Sequence, residues 1–546
     1  MTARSNPQTR TDALLLVAFC GFLFFYGLGA FGLLGADEPR YAQVAREMLG
    51  RSDWVTPTLQ GKPWLEKPVL YYWQAMLSFR ALGVSDWAAR VPAAFDAVAL
   101  VAAIYFFLRR FRPGSELDGA LITASCAGVV GFARGAATDM PLAAAFAIAL
   151  LAWYAWYESR QAAYLAGFYI FLAFGTLAKG PVAPALAAVI LFLFVAVKRD
   201  WRAIAGSLWI PGVVLYLAVT LPWYVAVQLR NPEFFRVFIL EHNFARFSEN
   251  LYHHRQPFWF YLPVFLLAMM PWTLVLIVAV AEAVAERVRL IRSAGREAFS
   301  GRDGSWTLYL LIWMLVPILF FSVSQSKLPG YILPAVPAGA LLIAAYAAAR
   351  RSESPGNDKK VSPLFASGHG VLCGLLIFVA LSAAPVAMIH HLRWGSGTLV
   401  AAAIAAVVAL GIAAALLSRA GLRLLSRVTT LAVAVSVFLV IRYAAPVLDD
   451  TRSARPIVES IQSFSHQAVP IATYHVNRSQ EYGLEFYLNL NRPAQSYDRG
   501  DIPAADHVLV AAHSTQLQVA ELVPGRRVSY LTSIQEQGVD LYWVGR

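Results

Sequence analysis

Long apolar segments separated by short polar ones run through most of the chain. Those that are long enough, or nearly so, to cross a bilayer as helices lie at about 13–34, 89–108, 117–133, 139–157, 162–178, 181–197, 206–229, 257–285, 306–323, 330–349, 364–389, 398–418 and 427–446. The pattern therefore predicts a polytopic α-helical membrane protein with about thirteen transmembrane helices, which occupy residues 1–446.

A different pattern begins at about residue 447 and continues to residue 546. Residues 455–465, 479–490 and 514–523 are predicted to be helices, and 469–474, 507–511, 526–532 and 539–544 are predicted to be strands. This is typical of a small soluble α/β domain. It contains no glycine-rich phosphate loop, no metal-ligand spacing and no nucleophile elbow, which favours a covering or docking role over a second enzyme.

Composition supports the membrane assignment, since 58% of the residues are hydrophobic and only 14% are charged. The net charge of +12 could suggest nucleic acid, but the cations lie in short loops between apolar spans, where membrane topology explains them. We therefore expect no nucleic-acid partner. All three cysteines fall inside apolar segments, which argues against a disulfide framework.

The basic loops also predict an orientation. Arginine and lysine cluster at the N-terminus and after each even-numbered span, and this consistently basic side should be cytoplasmic. Loops 35–88 and 230–256 and the C-terminal domain then lie on the opposite face of the membrane.

The stretch 35–73 combines acidic, basic and aromatic residues directly after the first span. Aromatic and basic residues at such a place are typical of the lipid headgroup level. The carboxylates of Asp37, Glu38 and Glu66 are less expected there, although chemistry on a lipid-linked phosphate would use them. The alternative is a solvated amphipathic loop.

Other loops on the same face add further charges, namely Asp139, Lys179, His253, His254, Arg255 and Lys327. Simpler explanations exist: Asp37 and Asp139 could cap helices, Lys179 could belong to a structural turn, the histidines could face solvent, and Lys327 could extend to the membrane surface. However, an ionisable group at membrane depth costs about 2.5–3.5 kcal/mol. Charges from five outer loops at one membrane level therefore favour a shared cavity for a lipid phosphate.

These residues also carry a resemblance to a known family. The first outer loop, with Asp37-Glu38-Pro39-Arg40, Glu66-Lys67-Pro68 and Tyr72-Trp73, resembles that of the bacterial lipid A aminoarabinose transferases. These enzymes belong to the GT-C, protein-mannosyltransferase-like glycosyltransferases. Further similar motifs follow in order, among them Lys179-Gly180, Glu241-His242, His254-Arg255-Gln256-Pro257 and Ser326-Lys327-Leu328-Pro329-Gly330-Tyr331. The family often has Asp-Glu-Thr-Arg where this chain has Pro39.

The resemblance implies a GT-C-type enzyme of the bacterial inner membrane, with a cytoplasmic N-terminus, a periplasmic C-terminal domain and a monomeric state. It would transfer 4-amino-4-deoxy-L-arabinose from undecaprenyl phosphate to a phosphate of lipid A. This modification removes negative charge from the outer membrane and so weakens the binding of cationic peptides such as polymyxin. Two alternatives remain open: a related transferase with protein hydroxyls as acceptor, and a lipid-phosphate transporter or flippase.

On this hypothesis the cations bind the donor phosphate. Lys67, Arg255 and Lys327 are the first candidates, and Arg40 and Tyr331 are weaker ones.

The acids receive catalytic roles. Asp37 would orient the acceptor or stabilise positive charge on the sugar, and Asp139 is a second acidic candidate near the sugar amine. Glu66 would hold Lys67 or bind a divalent metal ion with His253 or His254; no other cofactor is expected.

Overall fold

The apolar segments fold into helices in the computed structural model of the protein. The structure describes residues 7–245, 256–294, 302–352, 362–388, 396–418, 421–464, 469–490, 494–513 and 516–545. The α-helices of residues 7–439 are α1 (Pro7–Cys20), α2 (Asp37–Gly50), α3 (Leu70–Leu82), α4 (Asp86–Phe111), α5 (Glu116–Ser125), α6 (Ala127–Ala133), α7 (Asp139–Ser159), α8 (Ala162–Lys179), α9 (Val182–Lys198), α10 (Trp201–Ser207), α11 (Ile210–Arg230), α12 (Tyr261–Ala268), α13 (Thr273–Ala294), α14 (Arg302–Val323), α15 (Val336–Ser352), α16 (Pro363–Met388), α17 (Ser396–Leu417) and α18 (Gly421–Leu439).

Each predicted apolar run contains helix. Within the described residues, nine helices are long and apolar enough to cross a membrane, and the number is eleven if each of two bent pairs counts as one span. The first run forms α1 and a following π-helix, and the sixth forms α9 with 17 residues; neither is among the nine. The polytopic helical class is confirmed, whereas the count of thirteen stays a prediction.

The two bent pairs meet at their bends. Helices α5 and α6 are inclined at 64° around Cys126, and the residues 258–268 and 273–289 are inclined at 113°. At these breaks the amide of Ala127 donates to the carbonyl of Met270 (2.9 Å), and the Trp272 indole donates to the Ser125 hydroxyl (3.0 Å). Each break thus supplies partners for polar groups that the other leaves unbonded, as membrane depth requires.

The chain divides into two units. The first comprises Met1–Tyr26, Glu66–Tyr71 and Pro92–Val440, and the second comprises Gly27–Leu65, Tyr72–Val91 and Ile441–Arg546. The second unit therefore contains α2, α3 and the short hairpin of β1 (Thr58–Leu59) and β2 (Lys62–Pro63) together with the C-terminal residues.

The C-terminal part is built on a mixed sheet. Its elements are α19 (Ala445–Arg452), α20 (Arg455–Phe464), β3 (Ile471–Tyr474), α21 (Arg478–Leu488), β4 (Gln495–Ser496), β5 (His507–Ala512), α22 (Gln516–Leu522), β6 (Arg527–Ile534) and β7 (Val539–Gly545). The strand order is β4-β3-β5-β7-β6, where β3 is parallel to β4 and β5, and β7 is antiparallel to β5 and β6.

Both faces of this sheet are covered. Along β5, Val508 and Val510 pack with α20 and α21, whereas Leu509 and Ala511 pack with α22, as the two-residue period of a strand requires. The predicted helices and strands of the α/β domain are confirmed. The sequence missed β4, which is only two residues long.

A buried arginine organises residues 28–38 of the second unit. The Arg90 guanidinium pairs with the Glu38 carboxylate (Nη2 to Oε2, 2.7 Å) and also donates to the carbonyls of Leu28, Phe31 and Gly32 at 2.8–2.9 Å. Because Arg90 is fully buried, this geometry satisfies a charge that would otherwise be costly. It fixes residues 28–38, which lead into α2.

Candidate functional site

A cavity of about 390 Å³ lies in the first unit, at the ends of several membrane helices. Its lining mixes cations, an acid, a histidine and hydroxyls with apolar side chains. The residues are Glu66, Lys67, Leu142, Lys179, Pro181, Val182, Ala185, Phe238, His242, Phe320, Phe321, Ser324, Ser326 and Tyr331. Three of the predicted site residues, Glu66, Lys67 and Tyr331, are thus brought together.

An ion pair stands at one side of the cavity. Asp139 begins α7 and Lys179 ends α8, so two consecutive antiparallel helices place them at the same end. The Lys179 Nζ lies 2.6 Å from the Asp139 Oδ1 and 4.8 Å from the centroid of the Tyr331 ring. The N-cap residue of α7 is Thr138, which makes no side-chain capping bond. Asp139 is the first helical residue and pairs with Lys179, so Lys179 is more than a turn residue.

Two glycines allow the surrounding segments to approach closely. Gly180 has φ +81°, and a Cβ there would come within 2.6 Å of the Phe238 ring. Gly330 packs against Asp139, whose Cγ would lie 2.8 Å from an added Cβ. The two positions leave no room for side chains, which explains why glycine follows Lys179 and precedes Tyr331.

Glu66 contacts a histidine that the sequence analysis gave no role. The His242 Nε2 lies 3.8 Å from the Glu66 Oε1, on the π-helix Phe235–Ala245. Within the described residues, no group of three or more His, Cys, Asp or Glu side chains could hold a metal ion. His253 and His254 lie outside the described residues, so the predicted metal site stays a hypothesis.

Lys327 is buried beside the cavity wall and is only 7% exposed. Its ammonium donates to the carbonyl of Ser324, and burial lowers the pKa of Lys327. The explanation that it extends to the membrane surface is therefore wrong. On its other side, the backbone of Leu328 is held by the Tyr261 hydroxyl, which accepts from its amide and donates to its carbonyl at 3.1 Å.

Asp37 and Arg40 belong to the second unit. Asp37 is the first residue of α2 and pairs with Arg40; the preceding residue is the N-cap, and no side-chain capping bond forms. Its side chain is 58% exposed. The Arg40 guanidinium lies over the rings of Tyr41, Trp64 and Tyr482 at 5.1–5.6 Å. Asp37 is thus accessible, and stacking holds its cationic neighbour in place.

Arg255, the remaining predicted cation, lies outside the described residues. Conversely, the sequence analysis assigned no role to Lys179, His242 and Ser326, which all line the cavity. All three residues occur in motifs quoted above. A signal was therefore present, but chain position alone could not show which partners they meet.

Comparison with known proteins supports the resemblance. The model of the family "Dolichyl-phosphate-mannose-protein mannosyltransferase" matches residues 66–225. Two curated relatives are named undecaprenyl phosphate-alpha-4-amino-4-deoxy-L-arabinose arabinosyl transferase. The one from Pseudomonas aeruginosa is 32% identical over 62% of this chain, and the one from Yersinia enterocolitica is 32% identical over 68%. The matched regions span only 59% and 65% of those relatives.

The fold comparison covers nearly the whole molecule. The crystal structure of ArnT from Cupriavidus metallidurans bound to undecaprenyl phosphate has a TM-score of 0.75 and 22% identity, and the match covers 97% of each chain. At that identity the likeness establishes the fold. Together with the family and sequence matches it confirms the resemblance: the chain has the fold of ArnT, and its sequence is similar to the aminoarabinose transferases and, over residues 66–225, to the protein mannosyltransferase family.

Proposed function

We propose that this protein transfers 4-amino-4-deoxy-L-arabinose from undecaprenyl phosphate to a phosphate of lipid A. The observation that carries the proposal is the cavity in which Lys67, Lys179 and Tyr331 adjoin apolar side chains. Cations and a phenol complement a phosphate, and the apolar wall complements a polyprenyl chain. The names of the curated relatives support this choice of sugar and lipid.

The reaction places modest demands on a base. The nucleophile is an oxygen of the acceptor phosphate, which is already largely ionised at neutral pH. It forms a bond to the anomeric carbon while the bond from that carbon to the undecaprenyl phosphate oxygen breaks, and the electron pair leaves with the phosphate. Alignment and stabilisation of the leaving charge are therefore the main tasks. Direct displacement predicts inversion at the anomeric carbon.

The described side chains suit these tasks. Lys67 and Tyr331 line the cavity, and Lys327 lies behind its wall, so they are our candidates for the leaving phosphate. Arg255 and Arg40 remain candidates for the same role. Asp139, held by Lys179 and packed against Gly330, is the acidic group that we assign to the sugar amine.

Asp37 is assigned to the acceptor side or to the positive charge that develops on the sugar. Its exposed carboxylate agrees with a group that meets a substrate. Glu66 would position His242 or Lys67, or would contribute to a metal site.

The orientation belongs to the same proposal. The chain is a multi-pass membrane protein, and we place it in the bacterial inner membrane as a monomer with a cytoplasmic N-terminus. Residues 447–546 would form a periplasmic domain. The polyprenyl donor and lipid A then meet at the periplasmic face.

Mass spectrometry of lipid A from cells with and without the protein tests the function. A difference of one aminopentose, with polymyxin resistance, is the expected result. An unmodified lipid A with newly glycosylated proteins would indicate hydroxyl acceptors. If the purified protein moved a lipid phosphate from one leaflet of a vesicle membrane to the other without transferring sugar, it would be a transporter. Either outcome would overturn the proposal.

Alanine substitutions test the assigned residues. Asp37→Ala and Lys67→Ala should each abolish most transfer and the polymyxin resistance at normal protein levels. Full activity in both variants would refute their roles.

Chelation tests the metal hypothesis separately. If Glu66 and a histidine hold a required divalent ion, EDTA should reduce transfer and an added divalent metal ion should restore it. Unchanged activity after EDTA would remove the case for that site.

A further inference from the structure

The turn after α14 is held by its own hydrogen bonds. The Ser324 amide donates to the carbonyl of Phe321 (3.1 Å), the Ser324 hydroxyl donates to the carbonyl of Ser326 (3.0 Å), and Lys327 donates to the carbonyl of Ser324. Tyr261 then fixes Leu328, as described above. Ser326 therefore sits in a segment whose backbone is restrained on both sides.

The Ser326 side chain differs from its neighbour in that turn. Ser326 is 1% exposed and lines the cavity, and its hydroxyl has no hydrogen-bond partner among the described residues. The Ser324 hydroxyl is satisfied. Since an unsatisfied buried hydroxyl is destabilising, its presence at a cavity wall points to a partner supplied by a ligand.

The surrounding charge indicates the chemistry of that partner. Lys67 and Lys179 share the cavity lining with Ser326. Lys327, the next residue, is buried and has no carboxylate within ion-pair distance in the described part of the chain. The pair of Asp139 with Lys179 is neutral overall, and Glu66 also lines the cavity, so the excess positive charge comes from Lys67 and Lys327. A hydroxyl donor among cations is complementary to an anionic oxygen.

We propose that Ser326 is a phosphate-binding residue, whose hydroxyl donates a hydrogen bond to a phosphate oxygen of the lipid substrate in this cavity. The inference rests on the proposed function and deepens it, because it adds a neutral donor to the cations of the site. The phosphate belongs either to the polyprenyl donor or to the lipid A acceptor.

The variant Ser326→Ala tests the inference in the full-length protein in detergent micelles. Its dissociation constant for undecaprenyl phosphate, and the KM values for donor and acceptor, are compared with those of the wild type. Loss of a hydrogen bond to a charged phosphate oxygen should weaken the binding of the lipid that carries this phosphate about tenfold or more. Because the hydroxyl is unsatisfied without ligand, the thermal midpoint of unfolding of the ligand-free variant should equal or exceed that of the wild type. If Ser326 only stabilised the fold, the substitution would lower the midpoint.

Ser382→Ala is the matched control. Ser382 lies in α16, its hydroxyl is also buried without a described partner, and it is not part of the cavity lining. This variant should bind undecaprenyl phosphate like the wild type. A shift of only the donor KM in Ser326→Ala would assign the bond to the polyprenyl phosphate, and a shift of only the acceptor KM would assign it to lipid A.

Two results would overturn the inference, and they are distinguishable. If wild-type protein binds undecaprenyl phosphate and transfers sugar while Ser326→Ala does both equally well, only the role of Ser326 fails. If the wild type neither binds nor transfers, the proposed function fails and the inference falls with it.

Discussion

A buried acid in the second unit makes the stability of the folded protein depend on pH. Glu485 of α21 is fully buried, accepts a hydrogen bond from the Gln60 amide, and has one carboxylate oxygen without a partner in the described residues. Burial raises the pKa of Glu485 to about 8; the Gln60 hydrogen bond opposes this, while the nearby charges of Glu481 and Glu47 add to it. The folded protein therefore keeps this carboxyl protonated at neutral pH.

The sign of the effect follows from the two protonation states. Between the ordinary pKa of 4.5 and about 8, the folded state holds a proton that the unfolded chain has lost. Rising pH then favours unfolding by about 1.36 kcal/mol per pH unit, or roughly 5 kcal/mol over the interval. Above the folded pKa the dependence disappears, because both states are ionised.

The substitution Glu485→Gln removes this titration, since the amide is neutral at every pH and can still accept from Gln60. Thermal unfolding of the full-length protein, followed from pH 5 to about pH 9 by tryptophan fluorescence, is the assay. The variant should unfold at a higher temperature than the wild type, by a margin that widens as the pH rises. Glu521→Gln, an exposed acid in the same domain, should follow the wild type. Parallel curves for Glu485→Gln and the wild type would refute the reasoning.

Three further substitutions test the site and its support. Gly330→Ala should lower transfer at normal protein levels, because the methyl would meet the Asp139 carboxylate; Gly411→Ala, where the methyl meets open space, is the control. Arg90→Met should destabilise the protein by about 3–5 kcal/mol, since it removes the cation that pairs with Glu38 and the donor to three carbonyls, and an unchanged thermal midpoint would contradict this. Burial lowers the pKa of Lys327, so donor binding should weaken at alkaline pH, whereas Lys327→Arg should extend binding to higher pH; identical profiles would exclude a role for its charge.

The helical class and the C-terminal α/β elements could be predicted because their signals are local. An apolar run long enough to cross a membrane excludes most other structures, and strands such as β5 and β7 keep the two-residue alternation. The β4 strand escaped prediction because two residues carry no period. The division into units was also invisible, since Glu66–Tyr71 belongs to one unit while the residues on both sides belong to the other.

The sequence predicted the chemical character of the site but not which of its side chains contact each other. Motifs identified Glu66, Lys67 and Tyr331 as members of one site, and the structure places all three around one cavity. The pair of Asp139 with Lys179 joins residues that lie 40 positions apart. Such a contact depends on the packing of α7 against α8, which no local pattern encodes.

The contacts of α2 with the C-terminal residues have a consequence for how freely those residues can change. Gln43 donates to the carbonyl of Leu490 (2.9 Å), and Arg46 donates to the carbonyl of Phe486 (2.6 Å). Both acceptors are main-chain atoms, which every amino acid provides. The bond to Leu490 is therefore independent of the side chain at 490, whereas the Phe486 ring is buried and also lies under the Arg46 guanidinium. Away from position 486, the C-terminal sequence can therefore differ widely from those of its relatives and still accept hydrogen bonds from the same two side chains of α2.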